Sequence, residues 1–188
     1  MNDTPLHRRT IQVDSYEEDD ALRVVGRLRD ERPGQRVPVL HDMELRLRVR
    51  VHELRIVRAQ AQMHAFPHDE CPFIAPKFAQ LEGLSISRGF TRALRELFAG
   101  VSGCQHLHEL ARVTGPAVFQ ANAALRARAR HASGQYTPPD PEVTMRALRG
   151  TCHVWAPDGP GQQKLELGWR PGGSEYPVPP VAQVRGRG

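Results

Sequence analysis

MELRLRVRV, Met43 to Val51, alternates without a break: Met43, Leu45, Leu47, Val49 and Val51 are apolar, and Glu44, Arg46, Arg48 and Arg50 are charged. A period of two marks a β-strand with one face buried and the other wet, because successive side chains of an extended chain point to opposite sides. The next run keeps the period, with Ala59, Ala61, Met63 and Ala65 set against Arg58, Gln60, Gln62 and His64. Only Val51 to Leu54 separates the two, so they pair as an antiparallel hairpin. Upstream, RRTIQVDSY and ALRVVGRLRD read as two more strands that turn at the acidic EEDD. The expectation is an antiparallel sheet of about four strands, covered on one side.

Helix signals come only after the strands. PFIAPKFAQLEG reads as a short helix closed by Gly83, and SRGFTRALRELFAG places Phe90, Leu94, Leu97 and Phe98 on one face before Gly100 ends it. CQHLHELARVTGPAVFQANAALRARAR carries Leu107, Leu110, Ala111, Val118, Ala121 and Leu125 on one stripe. Pro116 is expected to kink that helix or split it in two, since it donates no hydrogen bond and crowds the preceding turn. Strands first and helices after is the order of an α+β domain.

The chain has 188 residues, which suits one such domain with appendages. Its character changes near residue 132, where HASGQYTPPDPEV and later RPGGSEYPVPPVAQVRGRG replace the periodic runs. We therefore divide it into an α+β domain at 1–131, an extension at 132–169 able to fold back on the domain, and a Pro/Gly-rich tail at 170–188. Proline and glycine at that density cannot offset the entropy of ordering, so the tail is expected to be disordered.

The net charge of +5 rests on arginine, with Lys77 and Lys164 the only lysines. That bias, with abundant Ala, Pro and Gly, follows base composition better than it follows a binding surface. Arg46, Arg48 and Arg50 fall on the wet face of a strand, where polar groups are required anyway, and no aromatic residue interleaves them as single-strand binding needs. Nucleic acid is therefore not an expected partner. No glycine-rich phosphate loop and no GxSxG occurs, which removes nucleotide and serine-hydrolase chemistry. No apolar run reaches membrane-spanning length, and the first twenty residues lack the apolar core of a signal peptide. The expected setting is the cytoplasm, with no membrane contact. In that reducing compartment Cys71, Cys104 and Cys152 are ligands, reactive thiols or small buried residues rather than disulfides.

The polar candidates gather at the ends of elements. His41 and Asp42 fall in the loop expected to enter the central strand, Cys71 where the fourth strand gives way to a helix, and Cys104 in SGCQHLHEL at the start of the long helix. Thiolate, carboxylate and imidazole are what zinc or iron takes, and loops and helix starts let such groups converge without burying unpaired backbone. Free cysteine also packs readily as a small apolar residue. His106 can face an ion or cap the helix and face water.

The order HDM, MELRLRVR, a hairpin partner followed by a cysteine, two helices, and a cysteine opening an apolar helical run resembles the NifU/IscU-type iron–sulfur scaffold fold over Leu40 to about Ala129. By that resemblance Asp42 matches the scaffold aspartate, Cys71 the second cysteine and Cys104 the third. Leu40 and Gly103 stand where the scaffold has a cysteine and a histidine. The longer pattern, from RRTIQV through HDM and Cys71-Pro72 to LEGLSISRGFTRALRELFAGVSGCQHLHEL and Cys152-His153, resembles a bacterial domain-of-unknown-function family. These resemblances imply an α+β, NifU/IscU-like fold with helices on one face of the sheet, and a metal site of Asp42, Cys71, Cys104 and Cys152. His41 and His106 would bind the ion or hold a ligand in place. The implied cargo is zinc or iron, or an iron–sulfur cluster, with the protein handling metal for a protein partner. The alternative is a small-molecule lyase, cyclase or hydrolase in which Cys104, His106 and Asp42 do the chemistry on a small-molecule substrate.

Overall fold

The computed structural model describes residues 3–87, 89–132, 139–171 and 176–185. Four strands, β1 (Arg8–Glu18), β2 (Ala21–Glu31), β3 (Val39–Arg50) and β4 (Arg55–Ala65), form one antiparallel sheet in sequence order. A 3-10 run at Cys71–Leu81 follows, then α1 (Phe90–Phe98), a 3-10 turn at Gly100–Ser102 and α2 (Gln105–Ala132). The class is α+β, as the order of periodic runs requires. Among the described residues no helix is long and apolar enough to cross a membrane.

The alternation read from MELRLRVRV sorts the two faces. Leu22, Val24 and Leu28 of β2, Met43, Leu45, Leu47 and Val49 of β3, and Ile56 and Ala59 of β4 are buried together with Phe78, Leu81, Phe90, Leu94, Phe98, Leu107, Leu110, Ala111 and Val118 from the segments laid over them. The other face is a lattice of opposite charges. Arg46 meets Glu44 at 2.6 Å, Arg48 meets Asp20 at 3.2 Å, and Arg50 meets Glu53 at 3.4 Å. The cations of this stripe already face carboxylates: Glu44 is buried between Arg27 and Arg46, and the exposed pairs of Arg48 and Arg50 add little stability.

The segment expected as a short helix is a 3-10 run, because Pro72 and Pro76 each remove a backbone donor from it. Pro116 does not split α2: it sits on the exposed side, where water can take up the carbonyl its ring leaves without a donor. Gly26 decides how α2 lies. A Cβ there would come within 3.0 Å of Leu110 Cδ1 and 3.2 Å of Thr114 Cγ2, so a larger residue would press on both side chains, and glycine lets the helix lie close on β2.

The chain forms two compact units, residues 1–126 and 127–188, with the boundary inside α2. The second unit holds α3 (Pro141–Leu148), capped by Asp140 accepting from the Glu142 N–H at 2.7 Å, a 3-10 turn at His153–Trp155, and α4 (Pro160–Glu166). Its Gly161 lies against the Trp155 ring, where a Cβ would be 2.6 Å from a ring carbon. Within the tail expected to be disordered, Val181–Arg185 forms α5, while residues 172–175 and 186–188 lie outside the described residues.

Candidate metal centre

The strand parity that builds the core also carries polar groups onto the same face at one end of the sheet. Arg9 of β1 pairs with Asp30 of β2, and Asp30 with His41 of β3. Each lies two residues beyond the last apolar residue on the core face of its strand: Ile11, Leu28 and Met43. His41 is thus not in a loop, as its sequence position implied. It lies within β3, where a bulge at Leu40 shifts the register so that Glu31 faces Val39. The first turn of α2 lies over this row, and His106 comes down onto it.

Asp30 is 1% exposed and is the hub. Its Oδ1 accepts from Arg9 Nε at 2.7 Å and lies 3.2 Å from His7 Nε2, while its Oδ2 accepts from Arg9 Nη2 at 2.7 Å and lies 3.0 Å from His41 Nδ1. His106 Nε2 is 3.5 Å from the same Oδ2, and the His41 and His106 rings stack with centroids 3.8 Å apart. The forked guanidinium, with smaller contributions from His41 and His106, outweighs burial and holds the Asp30 carboxyl at about 2. Arg9 is itself held from its other end by Glu109 of α2 at 2.7 Å. Burial, then the neighbouring His41 and Arg9, push the His106 pKa below the usual imidazole value. Both causes favour the neutral imidazole, the form with a lone pair to offer.

Asp30, His41 and His106 each bring one ligand atom within 4.8 Å of the others, the one such group of three or more donors among the described residues. Zinc–nitrogen and zinc–oxygen bonds run to about 2.1 Å, so two atoms on one ion are separated by roughly 3.0–3.4 Å. Of the separations from Asp30 Oδ2, 3.0 Å to His41 Nδ1 falls in that range and 3.5 Å to His106 Nε2 just above it.

Of the residues singled out from sequence, His41 and His106 fall in this group. Asp42 points to the opposite face, where it accepts from Arg29 Nη1 at 2.7 Å. Cys71 and Cys104 are half-buried and line one cavity of about 420 Å³ with Met63, His68, Glu70, Ile74 and Gly103. Cys104 Sγ lies 3.9 Å from His106 Nδ1, which joins that cavity to the Asp30 group. Cys152 is exposed and belongs to the second unit. Sequence reasoning missed Asp30 and Arg9, although RLRD places a carboxylate on the apolar parity of β2 and RRTIQV places an arginine on that of β1. A charge on the buried side of a strand was the available signal.

Gly103 holds the turn that delivers Cys104 and His106. A Cβ there would collide with the Phe98 carbonyl and stand 2.9 Å from Phe98 Cα, so the constraint is space against backbone that has no room to move aside. Gly103→Ala is expected to cost about 2 kcal/mol. Chemical denaturation checks this, and an unchanged midpoint would mean that the turn relaxes freely.

The model of a family described as Protein of unknown function (DUF2889) matches residues 7–120, which takes in all four strands, α1 and the whole of the Asp30 group. No curated protein and no solved structure matches the chain.

Proposed function

The chain belongs to the DUF2889 family, and we propose that it is a metal-binding protein whose Asp30, His41 and His106 hold a divalent zinc or iron ion. One observation carries the reading: three ligand atoms from β2, β3 and α2 come within 4.8 Å of one another at the end of the buried face. Two imidazoles and one carboxylate leave coordination positions open, the arrangement of exchangeable and catalytic sites rather than closed structural ones. Arg9 would stay as the group that fixes the carboxylate, as outer partners of metal ligands do. The ion would take the His41 Nδ1 position facing Asp30 Oδ2, with the proton of the neutral ring on Nε2, and binding would weaken in acid, where protons compete for the imidazole nitrogens.

The scaffold-like form of this reading is that the protein passes on a metal ion or an iron–sulfur cluster. Its support is the shared cavity of Cys71 and Cys104 beside the histidines. The cytoplasmic setting expected from the sequence would keep those thiols reduced.

The test is metal analysis and an absorption spectrum on protein purified without oxygen, in the parent and in His41→Ala and His106→Ala. We expect near-stoichiometric zinc or iron in the parent and a fall in affinity of about 100-fold or more in each variant. A brown chromophore would favour the cluster. Metal-free protein that binds neither zinc nor iron on titration would defeat the proposal.

That result would favour a second reading, which a specific contact supports. Cys104 Sγ, His106 Nδ1 and His106 Nε2 with Asp30 Oδ2 form a chain of 3.9 and 3.5 Å contacts. On this reading Cys104 is a nucleophile whose proton passes to His106, with Asp30 orienting the ring, in a lyase, cyclase or hydrolase.

A further inference from the structure

Cys71 and Cys104 come from distant parts of the chain, the start of the 3-10 run after β4 and the residue that precedes α2. The fold nevertheless sets both in the lining of one cavity of about 420 Å³, which Met63 and Ile74 also line. Neither thiol is in a disulfide, and both are half-buried. Two of the three cysteines in the chain thus line one space together with a methionine, a third residue that carries sulfur.

We infer that this cavity is a second metal site, for a soft ion of the copper(I) type held by the Cys71 and Cys104 sulfurs with Met63 as a weaker third donor. Ligand softness selects the ion: thiolate and thioether sulfur favour copper(I), whereas calcium and magnesium take oxygen. Donor number then separates copper(I) from zinc. A structural zinc site wants four His, Cys or carboxylate donors. Among the described residues no group of three such donors includes these thiols, although His68 and Glu70 also line the cavity. A soft monovalent ion is satisfied by two thiolates and a thioether. As each copper–sulfur bond forms, the thiol releases its proton to solvent, and the ion is neither oxidised nor reduced. The site shares no ligand with Asp30, His41 and His106, so it stands whether or not those residues hold a metal. If both are filled, the Cys104–His106 contact places a soft and a harder site side by side.

The experiment titrates the reduced full-length chain with copper(I) against a colorimetric copper(I) chelator in the absence of oxygen. It compares the parent with Cys71→Ser, Cys104→Ser, Met63→Leu and His41→Ala, each checked for folding by circular dichroism. The expected result is one tightly held equivalent in the parent and in His41→Ala. Affinity should fall about 100-fold or more in either cysteine variant, since removing a ligand costs at least what removing its outer partner does. Met63→Leu, which keeps the apolar volume, should show a smaller loss. No tight equivalent in the parent, or one that survives in both folded cysteine variants, would overturn the inference. Loss in His41→Ala with retention in the cysteine variants would also overturn it, and would move the ion to the Asp30 group. The zinc and iron binding of the same variants is read separately, so failure of one site is not mistaken for failure of the other.

Discussion

Replacing Asp30 with asparagine is expected to lower folding stability at neutral pH by about 3 kcal/mol, the lower end of the cost of removing one partner from a buried ion pair. The lower end applies because the Arg9 side chain is about a third exposed and keeps Glu109 when Asp30 is lost. The amide fails for a specific reason. Asp30 receives the Arg9 fork on both oxygens and has His41 within 3.0 Å, and an amide nitrogen would point a donor at donors.

The same carboxylate gives the loss a pH signature. Its folded pKa of about 2 lies below the ordinary 3.8. A depressed carboxyl stabilises the fold above its unfolded pKa, and that contribution drains away as pH falls through the folded one. Asp30 should therefore contribute on the order of 2 kcal/mol through its charge above about pH 5, lost progressively toward pH 2. Urea titrations of the parent and Asp30→Asn at pH 7, 4 and 3 should give midpoints that converge in acid. A difference that stays constant with pH would show that shape rather than charge sets the cost.

Much of the fold is legible because alternation is a local signal. Met43 to Val51 names its own buried residues, and the strands on either side repeat the pattern closely enough to predict four antiparallel strands and a sheet covered on one side. What is not local was not legible. The bulge at Leu40 depends on β2 and β3 pairing across a loop, and it moves His41 from an expected loop into the strand. The descent of His106 onto Asp30 depends on α2 settling over Gly26, which no window of sequence contains. Proline shows the same limit in both directions. Pro72 and Pro76 lie in a segment too short to override them, while Pro116 lies in a helix whose apolar stripe holds it on either side. The shared cavity of Cys71 and Cys104 likewise needs the 3-10 run and the turn before α2 to be placed together. The buried parity of Asp30 and Arg9 was readable, and it is the general clue: a charge on the apolar register of a strand has partners waiting.

The core offers the complementary measurement. Phe98 is fully buried, and its ring stacks on that of Phe78 with centroids 4.3 Å apart and planes 9° from parallel. Phe98→Ala is expected to cost about 3–5 kcal/mol, from lost transfer energy and the cavity left at the end of α1. Phe98→Leu, which keeps most of the volume but not the ring pair, should cost under about 1.5 kcal/mol. Neither change removes a charge, so both losses should stay level from pH 7 to pH 3, where the Asp30→Asn loss shrinks. Phe98 also lends its backbone to the close contact that holds Gly103, and through it to the placement of Cys104 and His106. Metal affinity in Phe98→Leu therefore separates two pictures of the site. Affinity equal to the parent would mean that the strands, through Asp30 and His41, set the position of the ion, with α2 following. A fall of 10-fold or more, of the kind seen when groups behind the ligands are disturbed, would mean that the packing of α1 against α2 sets it. We expect the former, because Glu109 of α2 is tied to Arg9 of β1 at 2.7 Å independently of the Phe98 turn.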